Sequence, residues 1–133
     1  MKNFMTPAEF VSRMVGIPWV RWRSDWDACD CFGLIVLYFR EVLDIDPGDV
    51  PQSDIETGFH AAKGWAECTD QDGATCFMAW RNGAPTHCGV LLPGAMVLHS
   101  EGSPDHPGNV RVTRLAALQR VYGDIKFYKY TPC

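Results

Sequence analysis

Apolar positions in the first third of this chain repeat at helical spacing, and those in the middle run in short bursts of strand character. Thr6-Pro7-Ala8-Glu9 is a capping box with proline at the first helical position, and Phe10, Val11 and Met14 follow on one face. That helix should stop between Gly16 and Pro18. A second helical pattern starts at Cys31: Leu34, Ile35, Leu37, Tyr38, Val42 and Leu43 form its apolar side, with Arg40, Glu41 and Asp44 opposite. Asp46 to Pro51 is a turn-rich break, and Ser53-Asp54-Ile55-Glu56 offers another capping box for a short helix to about Lys63.

The strand-like part opens with Thr75 to Trp80 and turns at Arg81-Asn82-Gly83, where Asn-Gly favours a hairpin. Thr86-His87-Cys88-Gly89-Val90-Leu91-Leu92 and Ala95-Met96-Val97-Leu98-His99 are two further strands around Pro93-Gly94. Gly102 to Gly108 reads as a mobile loop. Val110 to Val112 and Ile125 to Tyr130 are late strands flanking a short helix near Leu115 to Arg120. Helices on the N-terminal side and a small antiparallel sheet make this an α+β protein.

Chemistry concentrates where these elements begin and end. Asp30 is a natural N-cap for the second helix, which puts Cys31 in the first turn, where the helix dipole favours thiolate over thiol. Loop, cap and thiol then form one unit, with the Cys31 backbone N–H available to an oxyanion. Gly33 permits close approach of a backbone or a substrate. His87 and His99 sit at the outer ends of one hairpin, twelve residues apart. They share a sheet face if the loop has an odd number of residues, as in a three-residue loop ending at Gly94. A two-residue Pro-Gly loop would put them on opposite faces unless a bulge re-aims one. On a shared face, His87 is the candidate base and His99 the residue that fixes its tautomer.

These blocks together resemble the NlpC family of papain-like cell-wall cysteine peptidases. Gly16-Ile17-Pro18-Trp19 leading to Asp30-Cys31-Phe32-Gly33-Leu34 is similar to the family's nucleophile block. Thr86-His87-Cys88-Gly89-Val90 is similar to its histidine strand, and Val97-Leu98-His99-Ser100 to its orienting-histidine strand. The resemblance implies a single papain-like domain over residues 1–133, with Cys31 as nucleophile, His87 as base and His99 as orienter. Trp19 and Asp30 fall on the substrate and oxyanion side, and no metal or cofactor is implied. The implied substrate is the stem peptide of peptidoglycan. Trp19 stands where many members carry a tyrosine whose hydroxyl helps bind the oxyanion or substrate. An indole N–H can donate but not accept.

A finer resemblance is to the branch found in bacteriophage tails, where a bulky aromatic such as Phe32 replaces the serine that usually follows the cysteine. Leu37-Tyr38-Phe39-Arg40-Glu41-Val42-Leu43, Gly108 to Leu115 and the Tyr-rich last strand are also similar to that branch. It implies a virion component made in the host cytoplasm that opens the cell wall locally, with other tail-tip proteins as partners. The alternative is a structural subunit of the tail tip with a vestigial site.

Composition narrows the field. The 133 residues are 47% hydrophobic, enough for one core and not two. No apolar run approaches the length of a membrane span, and Met1-Lys2-Asn3-Phe4-Met5 lacks a signal-peptide hydrophobic region. A net charge of −4 without a basic cluster argues against nucleic acid as partner. Without a signal, the six cysteines read as mostly reduced thiols, with Cys133 exposed and oxidisable. Cys29 and Cys31 with His87, Cys88 and His99 could alternatively hold zinc, although the familiar Cys-x-x-Cys pair is absent. Trp22 and Trp26, in the charged loop Arg21 to Asp27, either wall the cysteine or cover the edge of the core.

Overall fold

The computed structural model describes residues 5–45, 65–68 and 74–130. The break expected at 46–51, the helix expected to Lys63 and Cys133 lie outside these residues.

Helix α1 (Pro7–Met14) starts as its capping box dictates. The Thr6 hydroxyl accepts from Glu9 N at 3.1 Å, and the Glu9 carboxylate accepts from Thr6 N at 3.1 Å. Phe10 and Met14 are its buried residues. Gly16, at φ 93°, turns the chain away, and Gly16 N donates to Val110 O at 2.9 Å.

Helix α2 (Cys31–Glu41) departs from the expected amphipathic pattern, because every residue from Cys31 to Phe39 is buried. Apolar and small side chains around its whole circumference make it a central helix, covered on both sides. Phe10 of α1 meets Tyr38 edge-on at 5.2 Å, closing the outer side. The inner side lies on the sheet, against Cys76, Met78, Cys88, Val90 and Leu98.

Six described strands form that sheet: β1 (Trp65–Cys68), β2 (Cys76–Arg81), β3 (Ala84–Leu92), β4 (Met96–Ser100), β5 (Val110–Arg114) and β6 (Asp124–Tyr130). Their spatial order is β1-β6-β2-β3-β4-β5, and each neighbouring pair is antiparallel. Helix α3 (Leu115–Tyr122) connects β5 to β6. β1 was not expected; it is a four-residue strand whose sequence, Trp-Ala-Glu-Cys, carries no alternating pattern of apolar and polar residues.

Where composition suggested one core, strand alternation divides the interior into two, one on each face of the sheet. Cys76, Met78, Cys88, Val90 and Leu98 pack with α1 and α2. Phe77 and Val97 point to the other face and pack with Leu115 and Leu118 of α3.

The segment expected to be a mobile loop, Gly102 to Gly108, is tied by backbone hydrogen bonds. Ser103 and His106 exchange N–H to O bonds at 3.1 and 3.2 Å, and Trp19 N donates to Gly108 O at 2.9 Å. Among the described residues, no helix is long and apolar enough to cross a membrane.

Candidate active site

Asp30 organises the approach to α2. Its Oδ1 accepts from Gly33 N at 2.7 Å, capping the helix, and its Oδ2 accepts from Trp22 N at 2.7 Å. Both carboxylate oxygens are therefore engaged by the backbone, so Asp30 shapes the loop and the helix start. Burial, then the charge of Cys31, pushes its carboxyl up to about 6, against the pull of the two backbone N–H groups. Gly33 is needed here, because a Cβ would run into the carbonyl of Arg23, which accepts from Asp30 N at 3.1 Å.

The cap places Cys31 in the first turn, with its backbone N–H outside the intrahelical ladder. Hydrogen bonds from Cys88 and His87, with the charge of His87, hold the Cys31 thiol well below its ordinary value in spite of burial. The remaining buried thiols behave oppositely. Burial pushes Cys29 up to about 12 and raises Cys76 and Cys88. Cys31 is thus the thiol of this group whose surroundings favour thiolate.

The hairpin register places the two histidines on one face. Leu92 pairs with Met96, so the loop is the three residues Pro93, Gly94 and Ala95, odd in number as a shared face requires. It ends at Ala95 rather than Gly94. This shifts the pairing and makes His87 and His99 diagonal neighbours instead of direct partners. Gly89 occupies the position opposite His99, where a Cβ would meet the Leu98 carbonyl oxygen at 2.6 Å and His99 Cβ at 3.0 Å. With no side chain there, the imidazoles meet: His87 Nε2 lies 2.9 Å from His99 Nδ1, with the rings at 81°.

A hydroxyl completes the chain of contacts. His99 Nε2 lies 2.8 Å from Thr113 Oγ1 on β5. Burial, then the charge of His87, pushes His99 down to about 4, so it is neutral and carries one N–H. With that proton on Nε2, donated to Thr113, its Nδ1 accepts from His87 Nε2–H. His87 Nδ1 is then the nitrogen left for the sulfur of Cys31.

The thiol and His87 open onto a cleft of ≈ 390 Å³ lined also by Trp19, Arg21 and Trp22 and by Gly102, Ser103 and Pro104. The two loop tryptophans divide the roles considered for them. Trp22, 42% exposed and at φ 64°, stands at the cleft with the Arg21 guanidinium 5.3 Å from its ring. Trp26 closes the core edge, 5.9 Å from Phe10 and under the Arg13 guanidinium at 4.0 Å. Among the described residues, no three His, Cys, Asp or Glu side chains gather as a metal site, so the ligand set considered for zinc is not assembled.

The structure therefore brings Cys31, His87 and His99 together, with Trp19 and Asp30 lining the same cleft. Two participants were not anticipated from sequence. Thr113 lies in a short strand with no local signal. Tyr122, the last residue of α3, stacks on the His87 ring at 4.5 Å and 14°.

No family model matches this sequence. No curated protein matches it either. Solved structures do share its fold. The NlpC/p60 domain of the peptidoglycan hydrolase SagA is 19% identical, with a TM-score of 0.61 over 90% of this chain and 93% of that one. NlpC1 from Trichomonas vaginalis is 17% identical, with a TM-score of 0.66 over 95% of this chain. NlpC2 from the same organism is 17% identical, with a TM-score of 0.62 over 93% of this chain. The chain spans 43% and 45% of those two proteins. The α+β fold, three described helices with a six-stranded antiparallel sheet, is thus similar to that of NlpC/p60 papain-like domains.

Proposed function

We propose that this protein is a cysteine endopeptidase that hydrolyses peptide bonds in the stem peptides of peptidoglycan. The observation that carries the reading is the line of contacts from the Cys31 thiol through His87 and His99 to Thr113, in a cleft open to solvent. The similarity in fold to NlpC/p60 domains, among them that of a peptidoglycan hydrolase, supports the choice of substrate class.

In this reading the Cys31 thiolate attacks the peptide carbonyl and forms a C–S bond, and the carbonyl oxygen becomes an oxyanion. The Cys31 backbone N–H is one donor to that oxyanion, and the indole N–H of Trp19 is the candidate second. His87, as imidazolium, gives its Nδ1 proton to the leaving amine as the C–N bond breaks. Water then attacks the thioacyl carbon, His87 accepts its proton, and the C–S bond breaks to release the acid. His99 holds the His87 ring throughout, and Asp30 keeps the helix start in place. No step calls for a cofactor.

We place the protein in a phage tail tip, with other tail-tip proteins as partners, made in the host cytoplasm and acting at the cell wall. Phe32 after the nucleophile and the similarity of residues 37–43 and 108–115 to the tail-associated branch support this placement. Trp19 favours a second reading. If its N–H does not serve the oxyanion, the chain is a structural tail-tip subunit with a vestigial site.

The test is release of soluble peptides from purified peptidoglycan by the wild type, Cys31→Ala and His87→Ala. Cleavage by the wild type alone, with all three proteins folded, is expected. Cleavage retained by Cys31→Ala would falsify the mechanism. A folded wild type that releases nothing yet is found in purified virions would establish the structural reading.

A further inference from the structure

The candidate base is held on more than its hydrogen-bonding edge. One face of the His87 ring lies flat on Tyr122, with centroids 4.5 Å apart and planes 14° apart. Rotating the imidazole would therefore break the bond to His99 Nδ1 and the stack together. Tyr122 ends α3, where a helix ordinarily frays. Its hydroxyl is nevertheless pinned, donating to Glu101 Oε2 at 3.0 Å. The other carboxylate oxygen of Glu101 lies 3.6 Å from Arg111 Nη1, and Glu101 N donates to Asn109 O at 3.2 Å. Burial, then this carboxylate, raises the Tyr122 phenol, which keeps it a neutral donor.

We propose that Tyr122, clamped by Glu101, is a positioning residue that fixes the plane of the His87 imidazole and shields its bond to His99 from water. The proposal rests on the reading of Cys31 and His87 as nucleophile and base. An aromatic face favours the charged imidazole through its π-cloud and leaves both in-plane nitrogens to Cys31 and His99, so the ring exchanges its proton without turning. Asp30 and Arg21 share the cleft with His87, and Cys88 lies against Cys31. Cys31 approaches from α2, and His99 from β4. Glu101 holds Tyr122, Arg111 lies against Glu101, and β2 presents uncharged Phe77 and Ala79. α3 otherwise supplies Leu115 and Leu118 to the second core, so the element outside the Cys-His-His blocks sets the attitude of the base.

The experiment is the rate of Cys31 alkylation by iodoacetamide across mildly acidic to neutral pH, followed by mass spectrometry. It compares wild type, Tyr122→Leu, Tyr122→Phe and Glu101→Ala, with thermal unfolding recorded for each. Tyr122→Leu, which removes the aromatic face, is expected to slow alkylation at about pH 6 by up to about tenfold and move the acidic limb upward. Tyr122→Phe and Glu101→Ala keep the ring but lose its clamp, so a loss of about twofold to threefold is expected for each. A merely structural contribution would lower the melting temperature without moving the limb. A folded Tyr122→Leu with the wild-type profile overturns the proposal. If that variant does not fold, wild-type profiles in both Tyr122→Phe and Glu101→Ala overturn it. A wild type whose Cys31 is not selectively alkylated removes the underlying function instead.

Discussion

His87 and His99 meet nitrogen to nitrogen, Nε2 to Nδ1 at 2.9 Å, although the strands that carry them do not pair them directly. With its proton on Nε2, the orienting residue acts as an acceptor. His99→Ala is therefore expected to lower the rate of stem-peptide cleavage by about a hundredfold or more, the scale of lost general acid–base assistance. His99→Gln, whose amide oxygen can accept from His87, should recover part of that loss. Equal rates for wild type and His99→Ala would remove His99 from the mechanism.

Thr113 extends the same logic by one bond. Its oxygen lies 2.8 Å from His99 Nε2, placed to accept the Nε2–H of the tautomer that leaves Nδ1 open to His87. Thr113→Val keeps the shape and loses the acceptor. A fivefold to tenfold drop in cleavage, about the worth of one hydrogen bond, is expected, with Thr113→Ser restoring the rate. Steady-state kinetics on the two variants decide the point; a Thr113→Val enzyme as fast as Thr113→Ser would show that the hydroxyl is idle.

Two buried groups should shape the pH dependence of stability in opposite senses. Asp30 rises from 3.8 to about 6, so the folded state holds its proton more firmly. Its contribution is full below about 3.8 and is lost as pH rises to about 6. His99 falls from 6.5 to about 4, so the unfolded chain takes the proton first, and stability is lost as pH falls through that window. The two slopes offset each other. Asp30→Asn removes one of them, and its melting temperature should drop more steeply than that of the wild type between about pH 6.5 and pH 4.5. Parallel curves from calorimetry would contradict these assignments.

Gly89 is the space into which His99 fits. A methyl there would sit 2.6 Å from a backbone oxygen and 2.7 Å from the Phe77 ring, and backbone cannot yield as a flexible side chain can. Gly89→Ala should cost about 1–3 kcal/mol, typical of overpacking, and slow alkylation of Cys31 as the histidines are pushed apart. Thermal unfolding with a parallel labelling assay measures both; an undisturbed protein would mean that β3 and β4 separate freely here.

Much of this was legible in the chain itself, for local reasons. The capping box at Thr6 and the Asp30 cap are short-range signals, and the helices begin where those residues place them. Asn82-Gly83 likewise gives the β2–β3 turn. The register of the next hairpin stayed open because it depends on Ala95, which adopts φ 57° beside Gly94 at φ 77°. A left-handed alanine is not what turn propensities suggest. The Ala95 carbonyl accepts from Leu115 N at 2.9 Å, a tertiary bond that ties the loop to the start of α3. Thr113 and Tyr122 escaped notice because each lies far along the chain from the histidine it touches. Arg40 and Glu41 give α2 a polar side only in its last turn, whereas the turns before them are buried all round.

The two cores give this arrangement the character of a caliper. The sulfur is carried by the layer of α1 and α2, while His87, His99 and Thr113 belong with Phe77, Val97 and α3 on the other side of the sheet. Each jaw is packed by its own set of side chains, and the two meet where Cys31 and His87 line one cleft. A substitution deep in either layer, far from the cleft, can thus retune the reactivity of Cys31 without altering a single residue that touches it. Sequence drift in such a protein acts on chemistry through packing.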